Sequence, residues 1–133
     1  MKKILFVCFG NVGRSQMAEA FYNHLTNSND SWSAGIQKDT PMKYGNPAPK
    51  VVDSMLELGI DISQAKVKTI NQKIIDKSEK IIIMCKKEQC QNSLLEFKNI
   101  VFWNIEDPFE MTLDKTKNIR DKIKNKVSLL LNS

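Results

Sequence analysis

Apolar residues follow two rhythms along this chain, and their alternation predicts strands separated by helices. Ile4-Leu5-Phe6-Val7 and Ile81-Ile82-Ile83 are short unbroken apolar runs, as expected of strands covered on both faces. They place a first strand at Lys3 to Val7 and a third at Lys80 to Met84, with shorter strands at Ser31 to Ala34 and Ile100 to Trp103. Between them the period lengthens. Met17, Ala18, Phe21, Tyr22 and Leu25 recur at helical spacing over Ser15 to Leu25. Val51, Val52, Met55, Leu56 and Leu58 mark a second helix, for which Gly59 is the natural terminator. A short third helix is expected near Thr69 to Ile75, helical residues at Ser93 to Phe97, and a long amphipathic helix at about Leu113 to Leu131. Gln37 to Pro49 reads as a long polar loop.

Strands joined through helices imply right-handed crossovers and a parallel sheet with helices on both faces. Ligands of such sheets bind beyond the carboxyl ends of the strands. Cys8 ends the first strand, Cys85 the third, and Asp107 follows the fourth, so all three are expected at one sheet edge.

Composition sets limits around this picture. With 133 residues, 41% apolar and 26% charged, the chain suits one domain, residues 1–133, with an ordinary core. No apolar run approaches the roughly 20 residues that span a bilayer, and Met1-Lys2-Lys3 is not followed by a secretory leader pattern, so a cytoplasmic protein without membrane contact is expected. Three cysteines argue against a disulfide framework. The net charge of +5 owes much to Lys115, Lys117, Arg120, Lys122, Lys124 and Lys126, interleaved with Asp114 and Asp121. That is a solvated helix face rather than a nucleic-acid site. The single histidine, His24, sits among polar neighbours, and no paired metal-ligand motif occurs, so no metal is expected.

The chemistry concentrates in Cys8-Phe9-Gly10-Asn11-Val12-Gly13-Arg14-Ser15. Here a thiol at a strand tip faces a helix start across a loop containing two of the chain's five glycines. Helix N-terminal amides and a guanidinium together suit a tetrahedral oxyanion, and the same positive field stabilises a thiolate. Cys8 is therefore the candidate nucleophile.

The Cys8–Ser15 loop and its continuation Gln16-Met17-Ala18-Glu19-Ala20-Phe21, together with Ser33-Ala34-Gly35, Gly59-Ile60-Asp61-Ile62-Ser63 and Asp107-Pro108, resemble the low-molecular-weight protein tyrosine phosphatase superfamily. Within it, the chain is most similar to the thioredoxin-coupled arsenate reductases. The resemblance runs through nearly the whole chain and implies a three-layer α/β domain with a four-stranded parallel sheet in the order 2-1-3-4. It implies that Cys8 is the nucleophile and that Arg14 and the amides of Phe9, Gly10, Asn11, Val12, Gly13 and Arg14 bind the oxyanion. Ser15 would support the thiolate, Asn11 would hold the loop in shape, and Asp107 would be the general acid.

Cys85 and Cys90 distinguish two reactions. By the resemblance, Cys8 forms an adduct with arsenate and Cys85 attacks Cys8 to release arsenite. Cys90 then attacks Cys85, leaving a disulfide that thioredoxin or a similar thiol donor reduces. No tightly bound cofactor is implied. Five residues of regular helix rise about 7.5 Å, beyond the roughly 4.4–6.8 Å that a disulfide allows between Cα atoms, so residues 85–90 must be looped or must unwind. Their spacing is shorter than in the best-known reductases, and Gly13 stands where a cysteine is common. The alternative is hydrolysis of phosphotyrosine proteins through Cys8, Arg14 and Asp107 alone. However, Phe109-Glu110-Met111 lacks the tyrosine pair of many such phosphatases. A non-catalytic anion- or phosphopeptide-binding module is the remaining reading. Asn11, Glu19 and Ser33 match a potassium site of some reductases, but Lys68 stands where an acidic ligand belongs. Its ammonium is expected to replace the ion.

Overall fold

The computed structural model describes residues 1–133. Strands β1 (Lys2–Cys8), β2 (Ser31–Gly35), β3 (Ser78–Ile83) and β4 (Ile100–Phe102) form one parallel sheet in the order β2-β1-β3-β4. The connections carry α1 (Arg14–Thr26), α2 (Thr40–Lys43), α3 (Pro49–Leu56), α4 (Gln72–Asp76) and α5 (Asn92–Leu95), and α6 (Leu113–Leu131) closes the chain.

The strand pleat explains why β1 and β3 are apolar at every central position. Ile4, Phe6 and Ile82 point to one face, against Met17 and Phe21 of α1, Met55 of α3 and Ile123 of α6. Leu5, Val7, Ile81 and Ile83 point to the other, against Ile75 of α4 and Leu94 of α5. Along α6, Ile119, Ile123 and Val127 recur every four residues and are buried, while Lys115, Lys122, Lys124 and Lys126 remain exposed. No helix is long and apolar enough to cross a membrane. At the end of α3, Lys117 and then Arg120 hold the Glu57 carboxyl below its ordinary value, at 2.6 and 2.8 Å, and so tie α3 to α6.

Several boundaries differ from the sequence expectation. The polar loop contains α2, with Pro41 in its first turn, where a proline's missing N–H costs nothing. The third helix starts at Gln72 because the Asn71 side chain accepts the Ile74 N–H at 2.9 Å. Thr69 instead bridges to Gly35. Gly59 does terminate its helix. At φ 80° it donates to Leu56 O and Ile60 donates to Met55 O, the paired bonds of a Schellman ending. Leu25, Leu56 and Leu58, which share the helical spacing of their buried neighbours, are exposed. β3 stops at Ile83, so Cys85 lies two residues past the strand.

Candidate active site

Residues 9–13 join β1 to α1. The carbonyls of Cys8, Phe9 and Val12 accept from the N–H groups of Ile36 at 3.1 Å, Gln37 at 2.9 Å and Ala48 at 2.9 Å. The N–H groups of Phe9, Gly10, Val12 and Gly13 take no protein acceptor. Gly13 is the N-cap of α1, and no side chain caps that helix. Backbone donors are rarely left without a partner, so a ring of them at an uncapped helix start is a cradle for an anion.

Asn11 holds this loop. It takes the left-handed conformation at φ 59°, which asparagine tolerates better than most residues, so the turn is carried by Asn11 rather than by Gly10 or Gly13. Its Oδ1 accepts from Gln16 Nε2 at 3.0 Å and from the Lys68 N–H at 2.8 Å. The amide nitrogen must then face the two hydroxyls beside it, Ser15 at 2.7 Å and Ser33 at 2.9 Å. With Asn11 donating to both, Ser33 turns its own hydrogen to Glu19 Oε1 at 2.7 Å, and Ser15 turns its hydrogen to Cys8 Sγ at 2.9 Å. The Asn11 N–H also points at the sulfur, 3.2 Å away. A buried sulfur offered two hydrogens is arranged as an acceptor, the part a thiolate plays. Outside this chain, Lys68 Nζ lies 3.9 Å from Glu19 Oε1 and donates to Lys66 O at 2.9 Å.

Gly35, on β2, sets how closely the loop packs. A Cβ there would lie 2.7 Å from Gly10 C, 2.8 Å from Asn11 N and 3.0 Å from Phe9 O. Only glycine admits the loop backbone this near the sheet.

Arg14 is buried at the start of α1. Its Nη1 donates to the carbonyls of Met84 and of Ile105, the latter at 3.0 Å, and its Nη2 lies 3.4 Å from Asp107 Oδ2. Asp107 is half-exposed and accepts the Phe109 N–H at 3.0 Å, which fixes the turn that carries it. Cys8, Arg14, Cys85, Asp107 and Phe109 line one cavity of about 860 Å³ at the carboxyl ends of the strands, the edge expected for them.

The two later cysteines lie at its side. The register pairs Val7 with Ile83, so Met84, not Cys85, is level with Cys8. Cys8 and Met84 pack with the α1 face, whereas Cys85 packs with Leu94 on the other. A 3-10 turn, Lys87–Gln89, separates Cys85 from Cys90 and brings their sulfurs to 3.9 Å, so the segment is looped, as the spacing required. Burial, then the neighbouring Cys90, pushes the Cys85 thiol up to about 12. Burial also raises Cys90.

The roles of Gln16, the Lys68 N–H and the carbonyls of Met84 and Ile105 were not visible in the sequence. No side-chain pattern marks a backbone group as a ligand. For Gln16 the one available signal is a glutamine in the first turn of a helix that otherwise buries apolar side chains.

Known proteins align with nearly the whole of this chain. The family profile described as low molecular weight phosphotyrosine protein phosphatase matches residues 3–133. An arsenate reductase of Brevibacillus brevis is 34% identical over 125 residues, covering 92% of this chain and 88% of the relative. A solved arsenate reductase in the phosphate binding state superposes with a TM-score of 0.83 at 28% identity, over 99% of this chain and 98% of that one. A thioredoxin-dependent arsenate reductase of Corynebacterium glutamicum gives a TM-score of 0.76 at 26% identity, over 99% of this chain and 61% of that one. A match of this extent, on a chain whose strand order and cysteine–arginine loop agree with it, means that the protein belongs to the low molecular weight phosphotyrosine protein phosphatase family.

Proposed function

We propose that this chain is an arsenate reductase working through a Cys8–Cys85–Cys90 thiol relay, with thioredoxin or a similar dithiol as the external reductant. The observation that carries the reading is the 3.9 Å approach of Cys85 and Cys90 beside a cavity that Cys8 and Cys85 both line. Arsenate enters the loop amides and Arg14. The Cys8 sulfur displaces one arsenic-bound oxygen, which leaves protonated, and forms an S–As bond. Cys85 attacks the Cys8 sulfur, and the S–As electron pair stays on arsenic, which departs as arsenite. Cys90 attacks Cys85, frees Cys8 and leaves a Cys85–Cys90 disulfide for the reductant. Cys85 packs on the opposite sheet face from Cys8 and burial holds it protonated, so its sulfur must turn toward Cys8 within the cavity both line and lose its proton before it attacks.

A second reading rests on Asp107. Its carboxyl stands 3.4 Å from Arg14 at the same cavity, where it can protonate a leaving oxygen, so hydrolysis of aryl phosphates is expected from Cys8, Arg14 and Asp107 without the other cysteines. Cys8→Ser, Cys85→Ser and Cys90→Ser, each assayed with arsenate plus thioredoxin and with an aryl phosphate, separate the two. The relay predicts that the last two variants lose arsenate turnover and keep aryl phosphatase activity. Arsenate turnover that survives in both would exclude the relay.

A further inference from the structure

The Cys85–Cys90 pair has a geometry that its part in a relay does not by itself require. The 3-10 turn between them is closed three times over: Gln89 N–H to Lys86 O at 3.0 Å, Cys90 N–H to Lys87 O at 3.0 Å, and Lys86 N–H to the Gln89 side chain at 2.9 Å. Together these bonds hold the sulfurs 3.9 Å apart. A disulfide bond is about 2.04 Å long, so direct bonding needs the sulfurs to close by nearly half that separation. One atom bonded to both at about 2.3 Å would hold them about 3.8 Å apart at a tetrahedral angle, or about 3.4 Å apart at the narrower angle of a pyramidal trivalent centre, so the sulfurs need to close by at most about 0.5 Å to bridge through it. Cys85 opens to the large cavity and Cys90 is only partly buried, so such an atom can reach both.

The surroundings select the kind of atom. A structural zinc ion takes four ligands as a rule, and no third histidine, cysteine or carboxylate joins this pair. Metal binding must also strip both thiols of their protons, which burial opposes. A trivalent arsenic centre bearing two hydroxyls has neither requirement. It condenses with neutral thiols, needs only two sulfurs, and leaves no charge in the buried site.

We propose that Cys85 and Cys90 form a bidentate capture site for trivalent arsenicals, closing a ring through one arsenic atom bonded to both sulfurs. Each As–OH group and S–H group gives one As–S bond and one water; arsenic stays trivalent and nothing is oxidised. The binding chemistry stands on the sulfur geometry alone. Its consequence for turnover rests on the reductase reading. Arsenite released at Cys8 enters the cavity that Cys85 lines, and capture withdraws Cys85 from the relay, so the product inhibits and a dithiol relieves the inhibition better than a monothiol.

The test uses phenylarsine oxide on Cys8→Ser, in which Cys85 and Cys90 are the only thiols. One equivalent is expected to abolish both titratable thiols. Dimercaptopropanol should restore them, and 2-mercaptoethanol at the same concentration should not. Adding Cys90→Ser should weaken binding by about 100-fold or more, as loss of a chelating partner does. In the unsubstituted protein, trypsin cuts at Lys86 and Lys87 between the two cysteines, and the arsenical should hold the resulting peptides together. Thiols that stay titratable at one equivalent, a double variant that binds within about 10-fold of its parent, or peptides that separate would overturn the capture site. Capture that succeeds in a protein unable to turn over arsenate leaves this site intact and refutes the reductase reading; failed capture with normal turnover does the reverse.

Discussion

Replacing Gly35 with alanine tests how the anion loop is held without touching any reacting group. The added methyl would stand 2.7 Å from Gly10 C and 2.8 Å from Asn11 N, whereas ordinary contact begins at 3.4 Å. Some part of the structure must therefore retreat by about 0.7 Å. The obstacles are backbone atoms, which cannot rotate away as the end of a side chain can. β2 is pinned in the sheet through its pairing with β1, and Gly35 is bonded on both sides to residues 68 and 70. The loop is the softer partner. Overpacking of this kind costs roughly 1–3 kcal/mol, or about 4–12 °C in melting temperature for a chain of this length. A shift approaching 1 Å in a reacting site lowers turnover by up to about 100-fold. Gly35→Ala should therefore melt several degrees lower and lose roughly 10- to 100-fold in kcat/KM. Its inhibition constant for inorganic phosphate should rise by a similar factor. Thermal melts, aryl phosphate kinetics and competitive inhibition measure these directly. If stability falls as expected while turnover and phosphate inhibition stay at wild-type levels, the strand yields instead of the loop and the reasoning fails.

Ser15→Ala removes the hydroxyl that accepts from Asn11 and donates to Cys8, leaving a buried N–H unpaired; about 1–3 kcal/mol of stability and a clear fall in the alkylation rate of Cys8 by iodoacetamide are expected. An unchanged alkylation rate would remove Ser15 from the sulfur's support. Cys85 is held protonated up to about 12, so its reactive fraction grows about tenfold per pH unit below that value. The ratio of arsenate turnover to aryl phosphate turnover should therefore climb steeply from pH 7 to 9; a flat ratio would mean that Cys85 does not limit the reaction from its resting environment. Exchanging sodium for potassium should change neither activity nor melting temperature, because Lys68 Nζ already lies by Glu19, and Lys68→Met should confer a potassium response. A potassium-dependent wild-type protein would contradict this.

Alternation of apolar runs with helical spacing was enough to read the sheet, because strands buried on both faces carry their burial in composition. Leu25, Leu56 and Leu58 keep the helical spacing yet stay exposed, since spacing reports which face a residue lies on but not where the neighbouring element ends. Cys8, Cys85 and Asp107 were legible as one edge because strand ends fix positions along the chain. The opposite facing of Cys8 and Cys85 was not. It follows from register, which pairs Val7 with Ile83, and register depends on contacts far apart in sequence. The glycines misled in a simple way. The loop's own two suggested where the backbone turns, but Asn11 makes the turn, and the glycine that the loop cannot do without lies on another strand.

Arg14 spends one nitrogen of its head group on the main chain after β3 and after β4, leaving the others for the cavity. A guanidinium divides its labour in this way because its donors are splayed across a rigid plane. A lysine in its place carries the same charge on a single point. It would have to choose between bracing the two strand exits and greeting an incoming anion, so at this position scaffold and grip can be combined only in arginine.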